Sequence, residues 1–186
     1  MTPQRKDAAR NWEHILTVAR ELVDEGTPLQ LNDVARRAGL GVGTVYRHFP
    51  TPEALLETVA TPCLETLADH GRTALDDDNP WQAFSTFVTR LVEGQVTDPA
   101  LAKVSATSDD VLPRTTELKN QVMAIGAQLL ARARDAGTVR SDLADADLVP
   151  LLCGIAYATY VHSATPADRL PAARRYLDTL LRGLAA

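Results

Sequence analysis

A chain of 186 residues, 45% hydrophobic and 23% charged, is large enough for one compact domain or two small ones with a real core. Its net charge of −5 argues against general polyanion binding, and its two cysteines, Cys63 and Cys153, lack zinc-site spacing and read as small buried hydrophobes. The longest apolar run, Leu148 to Val161, falls short of the roughly 18 residues of a membrane span, and no segment has the layout of a signal peptide; a soluble cytoplasmic protein without membrane attachment is expected.

The charge is unevenly placed. Residues 1–50 carry seven Lys/Arg against six Asp/Glu, whereas the rest of the chain carries twelve against eighteen. Between Asp33 and Glu53 there is no acidic residue, while Arg36, Arg37 and Arg47 fall inside that interval. An acidic protein with one acid-free basic window can present that window to an anion.

Strand alternation is absent and helical periodicity recurs along the chain, so the class read is all-α. A first helix is expected over about 8–24, with Trp12, Ile15, Ala19 and Leu22 on one face and Gly26 beyond its end. A second covers about 31–38, where Leu31, Val34, Ala35 and Ala38 share a face and Gly39 gives the stop. A third over 42–49 is weak by propensity, because Gly43 and the β-branched Val42, Thr44 and Val45 all disfavour helix. The next opens with Thr51 as cap, Pro52 first and Glu53 at the positive end; Pro62 predicts a kink, or a restart capped by Thr61. Asn79 and Pro80 open another helix, with Phe84, Phe87, Val88 and Leu91 inward.

Residues 97–113, broken by Pro99 and Pro113, read as one short helix with loops, followed by a long helix over about 114–136 that Gly137 ends. Of the last two helices, 147–161 is apolar nearly all round and therefore needs cover on every side. The final one, about 171–184, sets Leu177, Leu180, Leu181 and Leu184 opposite Arg174, Arg175 and Arg182.

The weak helix has a two-faced pattern. Val42, Val45, Tyr46 and Phe49 fall within about 100° of arc, and Gly43, Thr44, Arg47 and His48 take the other side. With the preceding helix and the turn Gly39-Leu40-Gly41, this is a helix-turn-helix arrangement. A glycine at the start of such a helix leaves room for base edges, and the N-terminal amides attract phosphate. Thr44, Tyr46, Arg47 and His48 offer donors to phosphates or bases. The competing reading assigns Tyr46 and Phe49 to the core and His48 to solvent; for Phe49 it is adopted.

The stretch "LNDVARRAGLGVGTVYRHFPTPEALLETV" resembles the DNA-binding region of TetR-family transcriptional regulators. The resemblance rests on Asp33-Val34-Ala35, Ala38-Gly39, Gly43-Thr44, Tyr46 and His48-Phe49, and then on Glu53-Ala54-Leu55-Leu56. It implies an all-α homodimer with an N-terminal three-helix DNA-binding head, residues 8–67, and a larger ligand-binding and dimerisation body, residues 68–186. By the same resemblance Thr44, Tyr46 and His48 contact DNA, mostly phosphates, and Val42-Gly43 lies near the bases. Arg36, Arg37, Gly41 and Arg47 complete the expected DNA-binding set. Family members often repress genes and release DNA when a small molecule enters the body.

This sequence departs from the family pattern at three positions. Gly41 stands where a capping serine is frequent, Gln30 where Ser or Thr is usual, and Pro52 where a lysine often adds a phosphate contact.

Beyond residue 68 the resemblance is architectural. The helices at about 147–184 carry the most continuous apolar surface and suit a four-helix dimer interface. A two-fold dimer sets its recognition helices about 34 Å apart and calls for pseudo-palindromic double-stranded operator DNA. Candidates for a small-molecule pocket are Cys63, His70, Trp81, Phe84, Phe87, Met123, Tyr157, Tyr160 and His162, which suit a largely apolar effector, although each also fits ordinary packing. Cys63 and His70 lie two turns apart but lack a third partner, so no metal site, cofactor or catalytic pair is read and the chain is not taken for an enzyme. The function expected is a ligand-released homodimeric repressor. The alternative is a helical interaction or ligand-sensing protein with weakened DNA binding.

Overall fold

The computed structural model describes residues 3–186 and is built from helices, in agreement with the all-α class. In chain order these are α1 (Pro3–Asp24), α2 (Leu31–Ala38), α3 (Val42–His48), α4 (Pro52–Leu75), α5 (Pro80–Thr97), α6 (Pro99–Ser105), α7 (Pro113–Asp135), α8 (Asp145–His162) and α9 (Pro166–Leu184). Two compact units result. The first runs to Pro62 and adds Pro99–Thr115; the second comprises Cys63–Asp98 and Thr116–Ala186. Thus α6 and its flanks pack with the N-terminal helices, although in sequence they lie beyond the boundary drawn at residue 68.

Local signals account for most of the helix ends. Asn79 caps α5 by accepting the Gln82 amide at 3.0 Å, with Pro80 first; Thr51 accepts the Ala54 amide at 3.1 Å at the start of α4. Gly26, Gly39 and Gly137, at the ends of α1, α2 and α7, all have φ near +70°, the left-handed conformation that favours glycine.

Three helices differ from expectation, and the first of them, α1, begins at Pro3 and not near residue 8. Pro62 neither ends nor restarts α4. Its fixed φ is helical, it costs one backbone bond, and burial of Val59, Ala60, Leu64 and Leu67 holds the helix through it. Thr61, expected as a cap, instead donates its hydroxyl to the Glu57 carbonyl within the same helix at 2.9 Å. Helix α9 begins at Pro166, five residues before the expected Pro171. There the Asp168 carboxylate accepts both the amide (3.0 Å) and the hydroxyl (2.7 Å) of Thr165, fixing the start, and Pro171 sits inside the helix.

The first unit is organised around Ile15, Ala19, Val23, Leu31, Val34, Val45 and Leu55, each at most 2% exposed. Within it α1 packs on α2 and on α6, and α2 on α3. Glu57 is nearly buried, at 5% exposure, and its two carboxylate oxygens accept the amides of Val111 (2.7 Å) and Leu112 (2.8 Å), just ahead of α7. A carboxylate there satisfies two amides that the helix itself cannot and faces the positive helix end.

In the second unit α5 packs against both α8 and α9, which also pack on each other. Phe84, Phe87, Leu118, Leu129, Leu130 and Leu177 fill its core. Arg132 closes the end of α4, donating to the carbonyls of Leu75 (2.6 Å) and Asp77 (2.7 Å). Helix α8 is covered on one side only: Leu148, Leu152 and Thr159 are buried, while Val149, Leu151, Tyr157, Tyr160 and Val161 are exposed. Cys153 lies on the exposed side as well, so the expectation of two buried cysteines fails; Cys63 is half-buried.

Replacing Glu57 by Gln puts an amide donor against a backbone donor, and a buried group left unpaired costs about 1–3 kcal/mol. Glu57→Gln should therefore lower the first unit's stability by that amount in urea unfolding; a change within error would show that the pair adds nothing. Gly71→Ala tests the second unit. Alanine gains about 1 kcal/mol in helix propensity, but its Cβ would lie 2.7 Å from Cγ2 of Ile125 and 2.8 Å from Cε2 of Phe87, both buried. Overpacking of about 1–3 kcal/mol wins, so the melting temperature should fall by a few degrees; a rise would mean that the ring moves aside freely.

Candidate nucleic-acid interface

The junction between α2 and α3 is built mainly from backbone. Gly39, with φ of +65°, lets the chain turn so that its own amide reaches the Arg36 carbonyl (3.3 Å) and that of Leu40 reaches Ala35 (2.9 Å). Gly41 then starts α3, its carbonyl accepting the amides of Thr44 (2.8 Å) and Val45 (3.4 Å). Gly41 has φ −64° and ψ 137°, which any residue adopts, and it provides no side-chain cap. A Cβ there would meet only the Thr44 hydroxyl, at an ordinary 3.8 Å. The missing serine is therefore not forced by the backbone.

One face of α3 anchors the helix. Val45 is fully buried and Phe49, which follows the last turn, is 4% exposed with its ring 6.3 Å from that of Trp12. The opposite face points to solvent: Val42 is 46% and Tyr46 48% exposed, Gly43 and Arg47 are exposed, and Thr44 and His48 are half-buried. The helical arc placed Val42 and Tyr46 with the packing residues; the structure sets both outward. Among the described residues nothing lies within 4 Å of where a Gly43 Cβ would be, so no packing among them requires that glycine.

The arginines differ in what holds them. Arg47 folds along its own helix, donating from Nε to the Gly43 carbonyl (3.0 Å) and from Nη2 to the Thr44 hydroxyl (3.3 Å). Arg36 pairs with Asp33 at 2.7 Å, its side chain 81% exposed. Arg37 forks onto Glu25, with Nη1 and Nη2 donating to the two carboxylate oxygens at 2.7 and 2.5 Å, and Nη2 lies 3.4 Å from Glu21. These bonds hold the Glu25 carboxyl below its usual range and push the Arg37 guanidinium up. The Glu21, Glu25 and His14 contacts to the end of α2 escape a reading of sequence, since 12 to 24 residues separate the partners and no local pattern marks them.

The residues considered for a small-molecule pocket differ widely in exposure. Phe84 and Phe87 belong to the core, and Trp81 is half-buried with its ring 6.3 Å from Phe84. Cys63 is half-buried, and His70, Met123, Tyr157, Tyr160 and His162 are exposed, Tyr160 lying under the Arg169 guanidinium at 3.8 Å. Two clefts of the second unit lie elsewhere. One is lined by Leu151, Thr179, Leu180 and Leu184 together with Arg140 and Asp142, the other by Arg134, Gly137, Ser141 and Ala186 among others.

Comparison with known proteins agrees with this geometry. Residues 15–59 match the family model described as bacterial regulatory proteins of the tetR family, and residues 79–186 match that of the SbtR-like transcriptional regulator C-terminal domain. A TetR transcriptional regulator of Streptomyces coelicolor superimposes with a TM-score of 0.60 at 30% identity, over 94% of this chain and 98% of its own. A TetR regulatory protein of Mycobacterium vanbaalenii does so with a TM-score of 0.56 at 32% identity, over 99% and 100%. An HTH-type transcriptional regulator of Staphylococcus aureus is 29% identical over 100 residues, 52% of this chain and 54% of its own length; the chain spans about half the length of the curated relatives it matches. With its helix-turn-helix head and its C-terminal helices both matched, the chain belongs to the TetR family of transcriptional regulators.

Proposed function

We propose that the chain acts in the cytoplasm as a homodimeric repressor, binding a pseudo-palindromic operator through α3 and leaving it when a small, largely apolar effector enters the 68–186 region. The observation that carries the DNA-binding part is Gly43. A glycine inside a helix costs about 1 kcal/mol relative to alanine, and none of the described residues uses the space it leaves. Close approach of a base edge gives that space a use. Around it Val42, Thr44, Tyr46, Arg47 and His48 face outward or lie half-buried, and Arg36 stands exposed on α2. Thr44 and Tyr46 contribute uncharged donors to phosphate, so the salt dependence of binding should be shallower than the slope of about −9 that ten cationic phosphate contacts give.

The exposed side of α8 supports the dimer. Cys153, Gly154, Tyr157, Tyr160 and Val161 recur at three- and four-residue spacing, which makes one continuous stripe of mainly apolar character. A second copy docked on α8 and α9 covers it. The alternative, an interaction or ligand-sensing protein with weakened DNA binding, draws support from the uncapped start of α3 and from the pairing of Arg36 and Arg37 with carboxylates. Selection of bound sequences from random DNA separates the two, since only the repressor enriches a two-fold symmetric site.

On the selected site, Gly43→Ala should bind at least about tenfold more weakly while melting at a higher temperature, because alanine adds about 1 kcal/mol of helix propensity. Thr44→Ala and Tyr46→Ala should each cost about ten- to 150-fold in affinity, the value of one hydrogen bond to a charged group. If Gly43→Ala bound as tightly as the wild type, the close-approach reading would be wrong. For the dimer, Tyr157→Asp places a charge on a residue that is 72% exposed in the single chain, so folding is spared. Sedimentation should then show a monomer where the wild type is a dimer; an unchanged dimer would place the interface elsewhere.

A further inference from the structure

The turn that aims α3 is held from the α2 side. Helix α3 has no side-chain cap of its own, and the turn before it is three residues long. The end of α2, by contrast, is fastened to α1 at two successive residues. Arg37 forks onto Glu25 at 2.5 and 2.7 Å with Glu21 beside it at 3.4 Å, and the neighbouring Ala38 carbonyl lies 3.1 Å from Nε2 of His14. A carbonyl only accepts, so the ring nitrogen carries the proton and donates. The two attachments grip α2 immediately before Gly39, where the direction of the chain into α3 is decided.

We propose that Arg37 is a positioning residue of the operator-binding head and not a contact to DNA: through Glu25 it holds the end of α2 against α1, and so sets the angle at which α3 is presented. The inference rests on the operator-binding reading above. Charge bookkeeping favours it. Arg37, Glu21 and Glu25 together carry −1, so the cluster does not attract phosphate. Reaching a phosphate would also break a bidentate pair, which is stronger and more specific in geometry than a single-point contact. Arg36, one residue earlier, pairs with Asp33 alone among the described residues, its side chain is 81% exposed, and it remains available to the backbone of DNA.

The test uses the full chain and the operator recovered by selection, with affinities measured where circular dichroism shows every variant folded. Glu25→Gln removes a negative charge from the head. If Arg37 touched phosphate, this change would free its guanidinium and tighten binding. Positioning requires the opposite sign: Glu25→Gln and Arg37→Gln each weaken binding by about fivefold, the order expected for a well-formed exposed pair. The double variant should be no weaker than the weaker single one, because both remove the same link. The slope of log affinity against log salt should stay unchanged in all three, whereas loss of a phosphate contact lowers its magnitude by about 0.9. Arg37→Lys, which keeps the charge but not the fork, should fall between wild type and Arg37→Gln.

Tighter or unchanged binding by Glu25→Gln, or a reduced salt slope in Arg37→Gln, overturns the assignment while leaving operator binding intact. If the wild-type chain enriches no sequence at all, the operator-binding reading fails, and this assignment fails with it.

Discussion

The head depends on the burial of Val45 and Phe49. Helix α3 has seven residues, far below the dozen or so at which an isolated helix begins to hold in water. Its stability therefore comes from packing. Val45 is fully buried, and Phe49, stacked against Trp12, closes its end. Fastened along that line, the helix can spend every other position on the outside. A glycine inside it, another as its cap and a row of polar side chains are tolerable because the helix does not stand on its own propensity.

Glycine takes opposite meanings along this chain, and only the structure separates them. At Gly71 an added methyl would strike Ile125 and Phe87, so the missing side chain serves the interior. At Gly43 and Gly154 the same methyl would meet nothing, and both residues sit on exposed faces of helices. A glycine that a helix tolerates without internal reason points outward.

Much of the architecture was legible in the sequence because it is written locally. Asn79-Pro80, Thr51-Pro52 and the glycines at 26, 39 and 137 mark helix ends within a few residues of the groups they satisfy. The errors fall where a second signal outweighed the first. Pro171 looked like a beginning, yet Thr165 and Asp168 had already started the helix, and the restart that Pro62 offered as one of two readings, beside a kink, does not occur in a segment that burial keeps helical. The weak helix was readable from its two faces and its family pattern, apart from the outward turn of Val42 and Tyr46. Its supports were not: Glu25, Glu21 and His14 act across the fold, and nothing near Arg37 in sequence shows that its charge is already engaged. The pocket candidates differ in exposure for a related reason. Residue type does not separate Phe84, fully buried, from Tyr157, 72% exposed.

The packing of residues 99–115 with the N-terminal helices bears on how modular this regulator is. The DNA-reading portion is not a cassette that ends at Pro62. Its first helix leans on α6, and the carboxylate of Glu57 accepts the amides of residues 111 and 112. A chimera that grafts the first sixty residues onto another protein exposes the face of α1 that α6 covers and strands Glu57 without partners. A graft that carries the later segment across as well keeps both, so the exchangeable part is discontinuous in sequence although compact in space.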